Sequence, residues 1–134
     1  HGPFNVTMAF MDQLKLTKGT IVNIASINSF VVGIGTGSYP VSKGALAQFT
    51  RALAAELAVD GIRVNALAPG LIETAMTEPT RSDPAKLQAF LNHVPMKRAG
   101  QPEELAGPVV FLCSDAASYV TGAILAVDGG FLAV

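Results

Sequence analysis

The chain has 134 residues, the size of one ordinary domain. Its 9 lysine and arginine residues nearly balance its 10 aspartate and glutamate residues, and the net charge of -1 excludes the basic field that binding to nucleic acid or an anionic membrane surface requires. Hydrophobic residues make up 50% of the chain and charged residues 14%, which excludes a disordered protein and requires a substantial core.

Cysteine and histidine are too few to build a disulfide framework or a metal site. Cys113 is the single cysteine, which excludes an intrachain disulfide and is typical of a reducing compartment, so we expect a cytoplasmic protein. Because its neighbours are apolar, we expect the Cys113 thiol to be buried. The two histidines, His1 and His93, lack partners at metal-ligand spacing, so we expect no metal.

The hydrophobic runs do not indicate a membrane protein. Residues 19–42 carry no charge, but asparagine, serine, glycine and proline interrupt this run too often for a spanning helix. We expect no secretory leader, since no basic stretch precedes an apolar core. The chain opens on His1 at the start of a helical pattern, so we expect it to be part of a longer protein.

The first half of the chain predicts a helix, a strand and a second helix. An amphipathic helix over 6–16 ends at Lys18-Gly19, where the glycine is suited to a positive φ. A β-branched run over 20–25 predicts a strand. A loop rich in glycine, serine and asparagine leads to a long helix over 39–59, with Pro40 in its first turn and Asp60-Gly61 at its end.

The second half continues the alternation. Residues 62–68 predict a strand, which Pro69-Gly70 ends. Residues 71–97 are irregular, with one short helix over 85–92, and a connection of this length is typical of a functional lid. Prolines and acidic residues open a helix over 101–114, and a third strand follows over 123–127.

Strands that alternate with helices predict an α/β fold with a parallel sheet. The strands are nearly continuous apolar runs, as expected for strands that are covered on both faces. The carboxyl ends of parallel strands lie along one edge, where open α/β sheets bind their ligands. Ser26 follows the first strand, and Pro69, Gly70 and Thr74 follow the second, so we expect the site at that edge.

Tyr39 and Lys43 are four residues apart on the long helix and share one of its faces. A lysine ammonium beside a tyrosine hydroxyl favours the phenolate and prepares it for acid/base work. Ser26 offers a hydroxyl that can hold a carbonyl or alcohol oxygen beside Tyr39. Taken alone, a Tyr-x-x-x-Lys pair is more often an ordinary helix-surface pair, and a strand-end serine is equally ordinary.

The joint pattern is more specific than its parts. The serine precedes the tyrosine by 13 residues across a glycine-rich loop, and the second strand ends in Asn-Ala-Leu-Ala-Pro-Gly. With these features the chain resembles the short-chain dehydrogenase/reductase family. The resemblance covers essentially the whole chain, which corresponds to only the C-terminal half of the family's usual length. The matching segments are IVNIAS (21–26), YPVSK (39–43), RVNALAPG (63–70), GQPEEL (100–105) and SDAASYVTGAILAVDGG (114–130).

The resemblance implies a Rossmann-like, doubly wound parallel sheet, of which this chain supplies three parallel strands with flanking helices. It also implies an NAD(P)-dependent oxidoreductase that interconverts a secondary alcohol and a carbonyl. Tyr39 would be the general acid/base. Lys43 would stabilise its phenolate and bind the nicotinamide ribose, and Ser26 would position the substrate oxygen.

The resemblance also assigns cofactor contacts. Pro69, Gly70 and Ile72 would lie along the nicotinamide of NAD or NADP, with backbone groups of Ile72 bonded to the carboxamide. Thr74 would reach the carboxamide or the pyrophosphate. Residues 76–92 would form the substrate lid, and a sugar or polyol, a 3-oxoacyl thioester and another small ketone all remain open as substrates.

The family's glycine fingerprint, which follows a strand and opens a helix, is absent from these residues, as is its Asn-Asn-Ala-Gly segment. The GIGTG run at 33–37 follows a loop and lacks the third glycine. Residues 1–134 therefore represent the C-terminal catalytic half of the domain, and we expect them to be inactive alone. A non-catalytic fragment or interaction module is the alternative. By resemblance, the helix over 39–59 and residues 120–134 pair in a homotetramer or homodimer.

Overall fold

The computed structural model describes residues 1–134 and contains one parallel sheet with the strand order β1-β2-β3. The strands are β1 (Thr20–Ile24), β2 (Arg63–Pro69) and β3 (Ile124–Val127). In the register, Ile24 lies opposite Leu67, and Leu67 lies opposite Leu125. The predicted α/β fold with three parallel strands and flanking helices is confirmed.

Six α-helices accompany the sheet, and several short 3-10 turns join them. None of the helices combines the length and the hydropathy needed to cross a membrane. The helices are α1 (Gly2–Ala9), α2 (Met11–Thr17), α3 (Tyr39–Leu57), α4 (Glu78–Arg81), α5 (Pro84–Leu91) and α6 (Ala106–Cys113).

Three predicted details of the helices are wrong. The first helix is divided at Phe10, whose φ of -103° and ψ of 7° interrupt the helical path. Lys18 adopts the left-handed φ of 50° that we assigned to Gly19, because the helix ends one residue earlier. The first turn of the helix over 101–114 is a 3-10 turn over Pro102–Leu105, and the Glu104 carboxylate accepts a hydrogen bond from the Gln101 N–H at its start.

The Cys113 thiol is exposed, although its apolar neighbours predicted burial. Helix α6 turns Leu112 inward, and Leu112 is 1% exposed. The next residue lies about 100° further around an α-helix, which takes the Cys113 side chain away from the core.

The core is built around β2, because it is the central strand. Val64, Ala66, Leu67 and Ala68 are fully buried, and α3 and α6 both pack against this strand. Burial of so many apolar side chains is the main stabilising contribution to such a fold. Burial extends along β2 to Ala68, and Pro69, the last residue of the strand, is partly buried at the edge of the sheet.

Polar side chains of β2 attach the segment that leads to β3. The Asn65 amide is fully buried; it donates to the Val120 carbonyl at 2.9 Å and accepts from the Ala123 N–H at 3.0 Å. The Arg63 guanidinium donates to the carbonyls of Leu112 and Ser114 at 2.8 and 3.1 Å, where α6 ends. These bonds satisfy backbone groups that burial would otherwise leave unpaired.

Candidate active site

A cleft of about 470 Å³ opens where β1, β2 and the first turn of α3 meet. Its volume lies in the range of small-molecule sites, about 300–1,000 Å³. The structure brings together in its wall all the residues that the sequence marked for catalysis or cofactor binding. These residues are Ser26, Tyr39, Lys43, Pro69, Gly70, Ile72 and Thr74.

Ser26 lies just beyond the end of β1 and is 7% exposed. Its backbone is extended, and its Oγ accepts a hydrogen bond from the Asn28 N–H at 3.1 Å, which caps a 3-10 turn over Ile27–Ser29. A serine hydroxyl that accepts one bond still has its own O–H to donate. Ser26 can therefore donate to an oxygen in the cleft without breaking its bond to the turn.

Tyr39 and Lys43 stand one turn apart at the start of α3. The Lys43 ammonium lies 5.7 Å from the centre of the Tyr39 ring and donates to the Ile24 carbonyl at 2.7 Å. That bond uses one of its three N–H donors and holds the charge beside the phenol. Tyr39 is 39% exposed, so its side chain is open to a molecule in the cleft.

The end of β2 supplies a close-packed backbone wall. A Cβ added to Gly70 would lie 2.8 Å from the Asp128 Cα, so only glycine allows β2 and the end of β3 to approach this closely. The Gly70 N–H also donates to the Val127 carbonyl at 3.0 Å. Glycine at this position therefore lets the ends of β2 and β3 pack directly against each other beside the cleft.

Beyond Gly70, the chain leaves the sheet and later returns to the same place. Ile72 and Gly100 form an isolated parallel bridge, in which the Gly100 N–H donates to the Leu71 carbonyl and the Glu73 N–H donates to the Gly100 carbonyl, both at 2.9 Å. The bridge holds Ile72 in the cleft wall and closes the base of the segment that was predicted to be a lid.

Sequence reasoning missed the ion pair beside this bridge. The two terminal nitrogens of Arg98 donate to the two oxygens of Glu104, each at 2.7 Å, and the Gln101 N–H donates to Glu104 at the same distance. The hydrogen bonds from Arg98 and then from Gln101 lower the pKa of Glu104 to about 2. Five residues that belong to neither an α-helix nor a named strand separate the two partners, so no helical or strand period could have predicted their contact.

Met76 and Thr77, from the segment expected to form the lid, also line the cleft, together with Pro102 and Leu105, to which the sequence analysis assigned no role. The Thr77 hydroxyl accepts from the Thr74 N–H at 3.1 Å and donates back to the Ile72 carbonyl. This contact ties the start of the lid to the end of β2. No group of three or more His, Cys, Asp and Glu side chains is arranged to hold a metal ion.

Comparison with known proteins identifies the family. A family model described as Enoyl-(Acyl carrier protein) reductase, which represents short-chain dehydrogenases/reductases, matches residues 1–132. The chain is 53% identical over 115 residues to a galactitol 2-dehydrogenase (L-tagatose-forming) from Cereibacter sphaeroides, covering 84% of this chain and 45% of the relative. It is 47% identical over 125 residues to a 2-dehydro-3-deoxy-D-gluconate 5-dehydrogenase from Bacillus subtilis, covering 93% of this chain and 49% of the relative.

Solved structures share the fold as well as the sequence. The gluconate 5-dehydrogenase from Burkholderia cenocepacia, in complex with NADP and tartrate, superposes with a TM-score of 0.94 at 34% identity, covering 98% of this chain and 52% of that chain. The chain spans about half the length of the curated relatives it matches. Because the family model covers nearly all of its residues, the chain belongs to the short-chain dehydrogenase/reductase family.

Proposed function

We propose that this chain carries the catalytic part of an NAD(P)-dependent oxidoreductase that interconverts a secondary alcohol and a carbonyl. The observation that carries the proposal is the convergence of a phenol, an ammonium and a serine hydroxyl on one cleft: Tyr39, Lys43 and Ser26. Two of its relatives are named as dehydrogenases of a polyol and of a sugar acid, which supports the same kind of reaction.

The chain's own groups account for the proton transfer. In alcohol oxidation, the Tyr39 phenolate removes the hydroxyl proton while Ser26 donates a hydrogen bond to the same oxygen, which becomes the carbonyl oxygen. Lys43 favours the phenolate through its charge, 5.7 Å from the ring centre. In the reverse direction, Tyr39 returns the proton. NAD(P), when bound, accepts or supplies the hydride.

The residues around the end of β2 suit a flat nicotinamide ring. Gly70 presents no side chain, and an added Cβ there would meet Asp128 rather than open space. Pro69 and Ile72 offer apolar surface on either side of it, and Thr74 would hold the carboxamide or the pyrophosphate. Lys43 keeps N–H donors free for the ribose after its bond to Ile24. Together these residues would form the part of an NAD(P) site that binds the nicotinamide end of the cofactor.

A polyol or sugar acid is the substrate class that we favour. The preference rests on the activities named for two relatives, a galactitol 2-dehydrogenase and a 2-dehydro-3-deoxy-D-gluconate 5-dehydrogenase. The accessible wall of the cleft is mostly apolar, and the Thr77 hydroxyl is already bonded to the Ile72 carbonyl. A panel of galactitol, a 2-dehydro-3-deoxy sugar acid and a 3-oxoacyl thioester tests this choice. Turnover of the thioester alone would exclude the polyol assignment while leaving the reaction type intact.

The test of the reaction uses Tyr39→Phe in the complete protein that contains this chain. Loss of the phenolic oxygen removes the acid/base group, so kcat should fall by about 100-fold or more, while the Kd for NADPH or NADH stays within two-fold. Tyr119→Phe is the matched control, because Tyr119 is fully exposed and lies outside the cleft. Equal activity of Tyr39→Phe and wild type would refute the proposal.

We further propose that residues 1–134 form the C-terminal catalytic half of one Rossmann-like domain and show no turnover when expressed alone. These residues contain no glycine fingerprint for the adenosine end of the cofactor. The assay is ketone reduction by the chain alone and by the complete protein. Cofactor binding without turnover in the complete protein would favour the rival assignment, a non-catalytic interaction module.

We propose that the complete protein assembles as a homotetramer, or failing that a homodimer, in the cytoplasm. One side of α3 exposes Val41, Ala45, Ala52 and Ala55, small apolar side chains that allow a second helix to pack closely. The free thiol of Cys113 suits a reducing compartment. Light scattering after size exclusion measures the assembly, and a monomer at micromolar concentration would contradict it.

A further inference from the structure

Ser29 does not line the cleft, and none of the roles described above is assigned to it. It is the last residue of the 3-10 turn that Ser26 begins. The Ser26 hydroxyl accepts from the Asn28 N–H at 3.1 Å, and the Ser26 carbonyl accepts from the Ser29 N–H at 2.9 Å. Two bonds within four residues make the turn one rigid unit, so Ser29 keeps a fixed position relative to Ser26.

The Ser29 side chain joins this unit to α3. Its hydroxyl donates to the Lys43 carbonyl at 2.8 Å, across 14 residues of sequence. The helix comes close to the turn at this point. A Cβ added to the neighbouring Gly44 would lie 4.0 Å from the Ser29 carbonyl oxygen. The bond is partly buried, where water replaces a lost partner less readily than at the surface.

Hydrogen bonds therefore hold both the main chain and the side chain of Lys43 to the β1 side of the site. Its main chain is held by Ser29, and its ammonium is held by the Ile24 carbonyl at 2.7 Å. Tyr39 lies one helical turn before Lys43 on the same face, so a shift of the first turn of α3 moves the phenol and the ammonium together, away from Ser26.

We propose that Ser29 is a positioning residue, which sets the distance between the Ser26 hydroxyl and the Tyr39–Lys43 pair through its bond to the Lys43 carbonyl. The inference rests on the proposed function, because it assigns Ser29 a role in the proton transfer between Tyr39 and the substrate oxygen. Ser29 itself touches neither substrate nor cofactor. Small displacements of reacting groups have large effects on rate, which makes such a residue measurable.

The experiment compares Ser29→Ala, Ser29→Thr and wild type in the complete protein, with the alcohol oxidised in the functional assay as substrate. Ser29→Ala should lower kcat by about five-fold or more, the effect of one hydrogen bond expressed in the transition state. The Kd for the nicotinamide cofactor should stay within two-fold. Ser29→Thr keeps the hydroxyl and should restore most of kcat.

Ser114→Ala is the matched control, because it also removes a serine-to-carbonyl bond, of 2.9 Å to Phe111, far from the cleft. If Ser29→Ala loses thermal stability but keeps the kcat of wild type and of Ser114→Ala, the role of Ser29 is purely structural and the inference is overturned. The Tyr39→Phe variant, measured in parallel, separates the two proposals. If it is inactive while Ser29→Ala is normal, only the inference about Ser29 fails; if it is active, the proposed function fails.

Discussion

Replacing Gly70 with alanine tests whether the close approach of β2 to the end of β3 shapes the cleft. The new Cβ would lie 2.8 Å from the Asp128 Cα, 3.0 Å from its Cβ and 3.2 Å from its carbonyl oxygen. Two of these three atoms are backbone, so no side-chain rotation relieves the contact. The φ of Gly70 lies outside the positive range that glycine favours, so the cost comes from the contact itself and not from backbone strain.

Overpacking of this kind costs about 1–3 kcal/mol, because β3 must move away from β2. The free energy of unfolding, measured by urea titration, should fall by that amount, and the displaced wall should weaken cofactor binding. Gly44→Ala is the matched control. Its nearest neighbour would lie at 4.0 Å inside a helix, so alanine should stabilise the chain by about 0.5–1 kcal/mol. A Gly70→Ala variant with an unchanged urea midpoint would refute the reasoning.

Three further predictions concern the core and the base of the lid. Leu112→Ala should cost about 2–5 kcal/mol because it leaves a cavity beside the sheet, whereas Leu16→Ala, at an 85% exposed position, should change the urea midpoint little. Asn65→Leu should cost at least about 2 kcal/mol, because two buried backbone groups lose their partner, and an unchanged midpoint would contradict this. Arg98 and the Gln101 N–H hold the pKa of Glu104 at about 2, below its ordinary 4.5, so the carboxylate stabilises the fold above pH 4.5 and loses this effect as the pH falls towards 2. The difference in urea midpoint between wild type and Glu104→Gln should shrink over that window, and a constant difference would argue against it.

The sequence predicted the sheet well because its strands have a strong local signal. The second strand is an apolar run bounded by turn residues, and the structure places β2 at Arg63–Pro69, within about one residue of the expected range. The helix boundaries were less predictable. The break at Phe10 and the 3-10 turn before α6 are local changes of backbone geometry, which a hydrophobic period does not report.

The site followed from topology, because parallel strands bring their carboxyl ends to one edge. Ser26 and Gly70 are 44 positions apart in the sequence, yet both line the cleft. The contacts that fix the wall could not be predicted in this way. Arg98 meets Glu104, and Ser29 meets the Lys43 carbonyl, through loops whose paths depend on the folded chain. The sequence thus indicated which groups could react, but not what holds them in place.

The bridge between Ile72 and Gly100 brings the two ends of the predicted lid together. The chain departs from the sheet and re-enters it at neighbouring positions, and a second anchor, the bond from the Met96 N–H to the Gly129 carbonyl at 3.1 Å, lies just inside the return. Insertions or deletions between Glu78 and Asn92 are therefore expected to leave the strand register intact. Such changes would alter the proposed lid and leave Ser26, Tyr39 and Lys43, which line the β1 side of the cleft, in place.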